Sequence, residues 1–240
     1  MKRSSKVYLV GAGPGDPELL TVKAQKLISK ADILIYDRLI HQDLLQLAPS
    51  NCKKVYVGKK ENNHILPQAE INQLLIDSAK EFSTVVRLKG GDPFIFGRGG
   101  EEVLELEKHK VAYEIIPGVS SATGVPSHVG IPLTSRGIAD SFTVITGHSA
   151  TNEIVKVDWS AYVKVDTLVI LMGIKNRQQI AKELIKAGRN PDETTVFIEN
   201  GTRENQKVLR SNLKETAEKP LTVLSPAIII IGNVTEFLKK

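Results

Sequence analysis

The sequence has little cysteine, few aromatic residues and no long apolar run, and each shortage excludes a class of protein. A single cysteine, Cys52, excludes an internal disulfide bond and a metal site built from several cysteines. The five histidines are too far apart in the sequence for a local zinc-binding pattern. We therefore expect no structural metal.

The longest apolar run, AIIIIG near the C-terminus, has the length of a strand and is too short to span a bilayer. The N-terminal segment is basic, but its apolar part ends after four residues at glycines and an acid, which is too short for a signal peptide. We therefore expect a cytoplasmic protein that does not contact a membrane.

Charge is spread evenly, although the net charge is +5 and the isoelectric point is about 9.1. The net positive charge favours an anionic partner, either nucleic acid or a small polycarboxylate. No run of five like charges occurs, and aromatic residues make up only 5% of the chain, so no stacking platform for bases is evident. We expect no nucleic acid partner, and keep a basic nucleic-acid-binding protein as a remote alternative.

What the sequence does contain is a series of apolar runs, several of them separated by segments with helical spacing. This alternation predicts an α/β fold. The pattern changes at IIPGVSSATG, where a strand-like segment is followed by small and polar residues. We therefore predict two α/β domains, at residues 1–117 and 118–240. The runs are VYLV, ILIY, VVRL, YEII, FTVIT, TLVIL, TVFI and AIIII.

Capping residues and apolar spacing predict the helices. Asp16 can cap a helix whose first position is Pro17, and a second helix is expected at about 101–108. PQAEINQLLIDSAKE and NRQQIAKELIKAG predict two more, the latter ending at Gly188. The segment 149–165 lacks clear periodicity, and we expect a surface excursion with one short helix.

The loop GAGPGDP after the first run resembles the opening of a dinucleotide-binding turn, and Asp37 lies where a ribose-binding acid would be expected. The third glycine of that pattern is missing, because position 16 is aspartate. Pro14 also removes a backbone N–H from the loop that would have to bind the diphosphate. The loop therefore predicts close backbone approach to a ligand that is not a dinucleotide.

The most specific stretch is VVRLKGGDPFIFGRGGEE. Gly90 and Gly91 allow a sharp bend, Asp92 adds an acceptor and Pro93 stiffens the exit. The tetrapeptide alone would predict only a tight turn. The longer stretch, together with VYLVGAGPGDPELLT, ADILIYDRL, VGKKENNHILPQAEINQLL, IIPGVSSATGVPSHVGIPLT, LMG, ENGT and SPAIIIIG, occurs in the order typical of one family.

In these motifs the chain resembles the tetrapyrrole methylase family over roughly residues 6–235. The resemblance implies two α/β domains with the active site in a trough between them, a homodimer, and S-adenosylmethionine as methyl donor. It also implies methylation of uroporphyrinogen III at C2 and C7, through precorrin-1 to precorrin-2, for sirohaem or cobalamin synthesis. A later corrin methylase or a diphthine synthase-like enzyme is the alternative within enzymes.

The resemblance assigns site residues as well. Asp37 is implied as a general base and Lys59 as a general acid. Uroporphyrinogen III bears eight carboxylates, which suit arginine forks, so Arg98 and Arg136 are the expected substrate contacts, with Glu101 supporting Arg98. The implied cofactor contacts are Pro14, Gly90, Gly91, Asp92, Ile95, Ser120, Ser121, Met172 and Gly201, with Ala227 a weaker candidate.

The chain departs from the family in two respects. It reads TSRG at Thr134 to Gly137, where the family usually has Thr-His-Arg-Asp. Arg136 is retained, whereas serine and glycine replace the histidine and aspartate, so no role of those two residues carries over. Many relatives also carry an oxidase-chelatase region, for which 240 residues leave no room. We therefore expect methylation alone.

Overall fold

The computed structural model describes residues 5–58, 66–147 and 157–237. The chain divides into two compact units, Met1–Ser120 and Ser121–Lys240. Each unit contains one five-stranded sheet flanked by helices. The predicted α/β class is confirmed. The division lies just past the boundary that the change in sequence pattern predicts.

The first unit is built on a parallel sheet in the strand order β3-β2-β4-β1-β5. Because all five strands run in one direction, their carboxyl ends meet at one edge, where α/β proteins bind ligands. The strands are β1 (Lys6–Gly11), β2 (Ile33–Tyr36), β3 (Lys53–Tyr56), β4 (Thr84–Lys89) and β5 (Tyr113–Ile116).

Both faces of this sheet are buried. Val10 and Leu34 belong to one apolar cluster, while their neighbours Leu9 and Ile35 belong to another. Successive side chains of a strand point to opposite faces, so a strand covered on both sides is apolar throughout. The helices of this unit are α1 (Val22–Ile28), α2 (Gln42–Gln46), α3 (Gln68–Glu81) and α4 (Gly99–Lys108).

The prediction of one helix starting at Asp16 is wrong. Asp16 caps a single 3-10 turn, Pro17–Leu19, by accepting a hydrogen bond from the N–H of Glu18 at 2.8 Å. The backbone then becomes extended, and Thr21 caps α1 separately through the N–H of Ala24. Two caps within six residues therefore divide the segment.

The second unit has a mixed sheet in the order β6-β7-β10-β8-β9. β6 and β7 are parallel, whereas β10 is antiparallel to both β7 and β8. The amino end of β10 therefore lies at the same edge as the carboxyl ends of β7 and β8. The strands are β6 (Phe142–Thr146), β7 (Thr167–Leu171), β8 (Thr194–Glu199), β9 (Lys207–Asn212) and β10 (Ala227–Ile231).

The helices of the second unit are α5 (Ser121–His128), α6 (Arg177–Ala187) and α7 (Leu213–Glu218). As predicted, α6 ends at Gly188, which adopts a left-handed conformation with φ of 111°. The predicted excursion at 149–165 is described only from residue 157, and that part contains a 3-10 helix, Trp159–Tyr162. No helix within 5–58, 66–147 or 157–237 is long and apolar enough to cross a membrane.

Candidate functional site

Four glycines bring the end of β1 and the loops after β1, β4 and β5 into direct backbone contact. Gly13 and Gly91 exchange backbone hydrogen bonds, with Gly91 donating at 2.8 Å and Gly13 at 3.3 Å. A Cβ on Gly118 would lie 2.3 Å from the carbonyl oxygen of Gly91, and one on Gly11 would lie 2.5 Å from the nitrogen of Gly118. No other residue type fits Gly11 and Gly118, so we call Gly11, Gly91 and Gly118 the glycine junction.

Asp92 fastens this junction. Its Oδ1 accepts a hydrogen bond from the N–H of Phe94 at 2.8 Å, and its Oδ2 accepts one from the N–H of Gly118 at 3.1 Å. The carboxylate therefore joins the loop after β4 to the loop after β5. Of the predicted cofactor residues, Gly90, Gly91 and Asp92 lie in this region, and Pro14 directly follows Gly13.

Beyond Asp92 the loop exposes apolar side chains and has strained backbone. Phe94, Ile95 and Phe96 are all exposed, and Phe96 and Arg98 have positive φ values of 52° and 59°. Such conformations are unfavourable for residues with a side chain and are concentrated at functional sites. The loop offers an apolar wall at the carboxyl edge of the first sheet.

Arg98 and Glu101 form the pair that the sequence predicts. The Nε and Nη2 groups of Arg98 donate to the two carboxylate oxygens of Glu101 at 2.8 and 2.7 Å. These hydrogen bonds hold the pKa of Glu101 below its ordinary value and raise the pKa of Arg98. Both side chains are exposed at the start of α4, and the Nη1 group is not used by this pair.

Asp37 lies just beyond β2, at the same edge of the sheet. Its Oδ1 accepts a hydrogen bond from the N–H of Leu39 at 3.1 Å, and its Oδ2 lies 3.5 Å from Nη2 of Arg87. Leu39 is also the neighbour of Gly90, since a Cβ on Gly90 would lie 3.0 Å from the Cβ of Leu39. Asp37 is thus brought close to the loop after β4. The other predicted acid–base residue, Lys59, lies outside the described residues.

A buried charge network, missed by the sequence analysis, lies behind Asp37. Arg87, Lys89 and Glu102 are only 4%, 3% and 0% exposed. Lys89 Nζ lies 2.8 Å from both carboxylate oxygens of Glu102, and Arg87 Nε donates to Oε1 at 3.2 Å. Burial, followed by the positive charge of Arg87, lowers the pKa of Lys89, although Glu102 opposes this effect.

The second unit presents its predicted residues at one edge of its sheet. Met172 follows β7, Gly201 follows β8 and Ala227 begins β10, whose amino end is paired with those two carboxyl ends. Met172 is 50% exposed and has a φ of 55°, so it does not fill the core as its residue type alone would suggest. Asn200 and Thr202, on either side of Gly201, also have positive φ values.

Gly201 has a packing role of its own. A Cβ there would lie 2.4 Å from Cγ1 of Val125 in α5. The glycine therefore lets the loop after β8 pack against the helix that begins at Ser121. Ser120, the last residue of the first unit, directly precedes this helix.

Arg136 lies in a tight turn between Ser135 and Ala139, whose backbone groups bond to each other in both directions at 2.9 Å. Gly137 has a φ of 76°, which explains a glycine in the departing TSRG segment. Arg136 is exposed, and within the part of the chain that the structure describes it forms no ion pair. Among the same residues, no group of three metal-ligating side chains occurs.

Comparisons with known proteins agree on one family. The family described as Tetrapyrrole (Corrin/Porphyrin) Methylases matches residues 6–217. A protein of Methanocaldococcus jannaschii named uroporphyrinogen-III C-methyltransferase is 48% identical over 238 residues, covering 98% of both chains. A siroheme synthase of Saccharophagus degradans is 43% identical over 243 residues, which is 100% of this chain and 53% of that protein.

A solved structure agrees as well. The crystal structure of uroporphyrin-III C-methyl transferase from Thermus thermophilus, complexed with S-adenyl homocysteine, matches with a TM-score of 0.85 and 45% identity. The match covers 96% of this chain and 93% of the other. Sequence and fold therefore point to the same relatives.

Proposed function

We propose, because the chain belongs to the tetrapyrrole methylase family, that it transfers methyl groups from S-adenosylmethionine to uroporphyrinogen III. The observation that carries this function is the 48% sequence identity, over 98% of both chains, with a protein named uroporphyrinogen-III C-methyltransferase, together with the family match. The family match confirms the resemblance that the motifs predict. It also makes a nucleic-acid-binding role unnecessary as an account of the net positive charge.

The finer assignment is methylation at C2 and then C7, or in the reverse order, giving precorrin-2 through precorrin-1. Sirohaem synthesis is supported by the siroheme synthases that contain a region similar to this whole chain. Supply of cobalamin synthesis, a homodimeric state and a cytoplasmic location are further parts of the proposal. They rest on the family resemblance and, for the location, on the sequence pattern described above. The active-site trough stays a prediction.

The residues at the two sheet edges fit the proposed cofactor. S-adenosylmethionine has an adenosine, an amino-acid end and a sulfonium but no phosphate, so it needs backbone donors and acceptors beside an apolar wall. In the first unit the glycine junction lets the backbone of three loops pack closely beneath a ligand, and the exposed loop after β4 offers the apolar wall. Met172 offers a thioether at the edge of the second. We propose as contacts Pro14, Gly90, Gly91, Asp92, Ile95, Ser120, Ser121, Met172, Gly201 and Ala227.

The mechanism needs orientation and one proton acceptor. S-adenosylmethionine, when bound, supplies a methyl group on a positively charged sulfur that keeps the electron pair of the broken bond. Asp37 takes the one proton that the ring loses for each methyl group transferred, and that proton passes to solvent. Lys59 is the proposed general acid; because the net reaction consumes no proton, any proton that it gives the ring is one that the ring loses again. Arg98, held by Glu101, and Arg136 bind carboxylates of the macrocycle. Holding the ring in line with the methyl group supplies much of the acceleration.

The test is incubation of the protein with S-adenosylmethionine and freshly reduced uroporphyrinogen III, followed by mass spectrometry. We expect products that carry one and then two added methyl groups, with one adenosylhomocysteine formed per methyl group. Later corrin intermediates, offered separately, should remain unmethylated. Methylation of those acceptors without methylation of uroporphyrinogen III would contradict the proposal.

Substitution of Arg136 tests the proposed substrate contact. Loss of a charge-assisted hydrogen bond costs about 1.5–3 kcal/mol, so Arg136→Ala should raise KM for uroporphyrinogen III by roughly 10- to 100-fold. Steady-state kinetics at saturating S-adenosylmethionine measures this KM. Lys182→Ala, which removes the same charge from an exposed position on α6, is the matched control, and an equal rise in KM for both variants would contradict a specific contact.

A further inference from the structure

The position of Arg87 links the buried charge network to Asp37. Arg87 pairs with Ile35 in the register of β4 and β2, two residues before Asp37. Its Nε donates to Glu102, its Nη1 donates to the carbonyl of Leu88 at 3.1 Å, and its Nη2 faces Oδ2 of Asp37 at 3.5 Å. The guanidinium therefore joins a fully buried carboxylate to one that is partly open to solvent.

The charges of the network explain why Asp37 is part of it. Arg87 and Lys89 are two buried cations, and Glu102 supplies one negative charge. A buried charge without a counter-charge is costly. The second negative charge comes from Asp37, whose side chain is 30% exposed. Within 5–58, 66–147 and 157–237, the further side chain that bonds to Glu102 is neutral: it is Gln68 of α3, which also donates to the neutral Asn72.

Both oxygens of Asp37 are consequently fixed. Oδ1 accepts the hydrogen bond from the N–H of Leu39, and Oδ2 forms a longer ion pair, at 3.5 Å, with the Arg87 guanidinium, which is itself bonded to Glu102. Glu102 cannot turn away, because Lys89 contacts both of its oxygens. The chain of contacts thus runs from the rigid interior of the unit to the proposed base.

We infer that Arg87 is a positioning residue for the methylation reaction: it orients the Asp37 carboxylate and balances its charge, and Glu102 and Lys89 hold Arg87 in place. This inference rests on the proposed function, in which Asp37 accepts a proton. Arg87 itself is only 4% exposed, so we expect it to make no direct contact with the substrate. Its effect on turnover therefore passes through Asp37 alone.

A double-mutant cycle tests the inference, using the full chain with Asp37→Asn, Arg87→Met and the two combined. Arg87→Met alone should lower kcat by on the order of 10²-fold, as misplacement of a catalytic group does. KM for uroporphyrinogen III and the calorimetric affinity for adenosylhomocysteine should change less than about twofold. In the Asp37→Asn background the same substitution should have almost no further effect on kcat, because residues that act as a unit are not additive.

A structural role for Arg87 would give a different result. Losses in kcat that multiply in the double mutant, or an Arg87→Met protein with unchanged kcat, would overturn the inference. If Arg87→Met does not fold, Arg87→Lys replaces it in the cycle, since an ammonium can still pair with Glu102 but lacks the fork that reaches Asp37. Losses in kcat that multiply in that double mutant, or an Arg87→Lys protein with unchanged kcat, would again overturn the inference.

Two controls separate this inference from other failures. Gln68→Ala removes the 3.4 Å contact between Gln68 and Glu102 without touching Arg87 or Asp37, and it should leave kcat unchanged. A wild-type protein that forms no methylated product would contradict the proposed function. A wild-type protein that is active, with an additive cycle, would contradict only the role of Arg87.

Discussion

Replacement of Asp37 by asparagine is expected to lower kcat for methylation by on the order of 10²–10⁴-fold, the usual contribution of a positioned acid or base. The amide keeps the size of the side chain and can still accept the hydrogen bond from Leu39, but it cannot take up a proton. The affinity for adenosylhomocysteine should be unchanged, because binding of the methyl donor does not need this proton transfer.

Single-turnover kinetics with both substrates bound measures the chemical step directly, and titration calorimetry measures the affinity. Asp77→Asn is the matched control, since Asp77 is an exposed carboxylate on α3 that pairs with Lys80, and its replacement should not alter turnover. An Asp37→Asn enzyme that turns over within about twofold of the wild type would exclude Asp37 as the base.

Replacement of Glu102 by leucine is expected to reduce the free energy of unfolding by about 3–5 kcal/mol, the cost of breaking a buried ion pair by removing one partner. Lys89 and Arg87 would both remain buried, and both lose the carboxylate that they share. Methylation should fail as well, since Asp37 would lose the support of Arg87. Denaturant titration monitored by circular dichroism measures the loss of stability.

Glu105→Ala is the control for this second prediction. Glu105 lies on the same helix and is partly exposed, and its ion pairs within the described part of the chain are with Lys108 and His109 at the surface. Its removal should therefore change the free energy of unfolding by about 0–1 kcal/mol. Equal stabilities of the Glu102→Leu and Glu105→Ala proteins would show that the buried network does not stabilise the fold.

The sequence predicted the strands that are buried on both faces, because such strands are apolar throughout. The list of apolar runs omits β3 and β9, each of which is one of the two outer strands of its sheet and carries charged residues, in KKVY and KVLRSN. The other two outer strands, β5 and β6, are more apolar and were predicted. Edge strands often carry lysine, which hides them from a search for apolar runs. The divided helix after Asp16 was missed because Thr21 forms a second cap within the same apolar pattern.

The site could be predicted only in part. The motifs located the loops after β1, β4 and β5, but the role of Asp92 depends on Gly118, which is 26 residues away. The charged residues of VVRLK gave a signal that was not used, since arginine and lysine within a central strand must find a counter-charge. That counter-charge, Glu102, comes from α4, whose helix the sequence predicts at about 101–108 but whose contact with Lys89 depends on tertiary packing.

The glycine junction has a further consequence for affinity. Gly11, Gly91 and Gly118 meet through peptide groups, which have no side-chain torsions left to restrict when a ligand arrives. The entropy of ordering this edge is lost when the domain folds, so little of it opposes complex formation. If the proposed cofactor binds here, we therefore expect its affinity to depend more on the preformed backbone than on anchoring side chains.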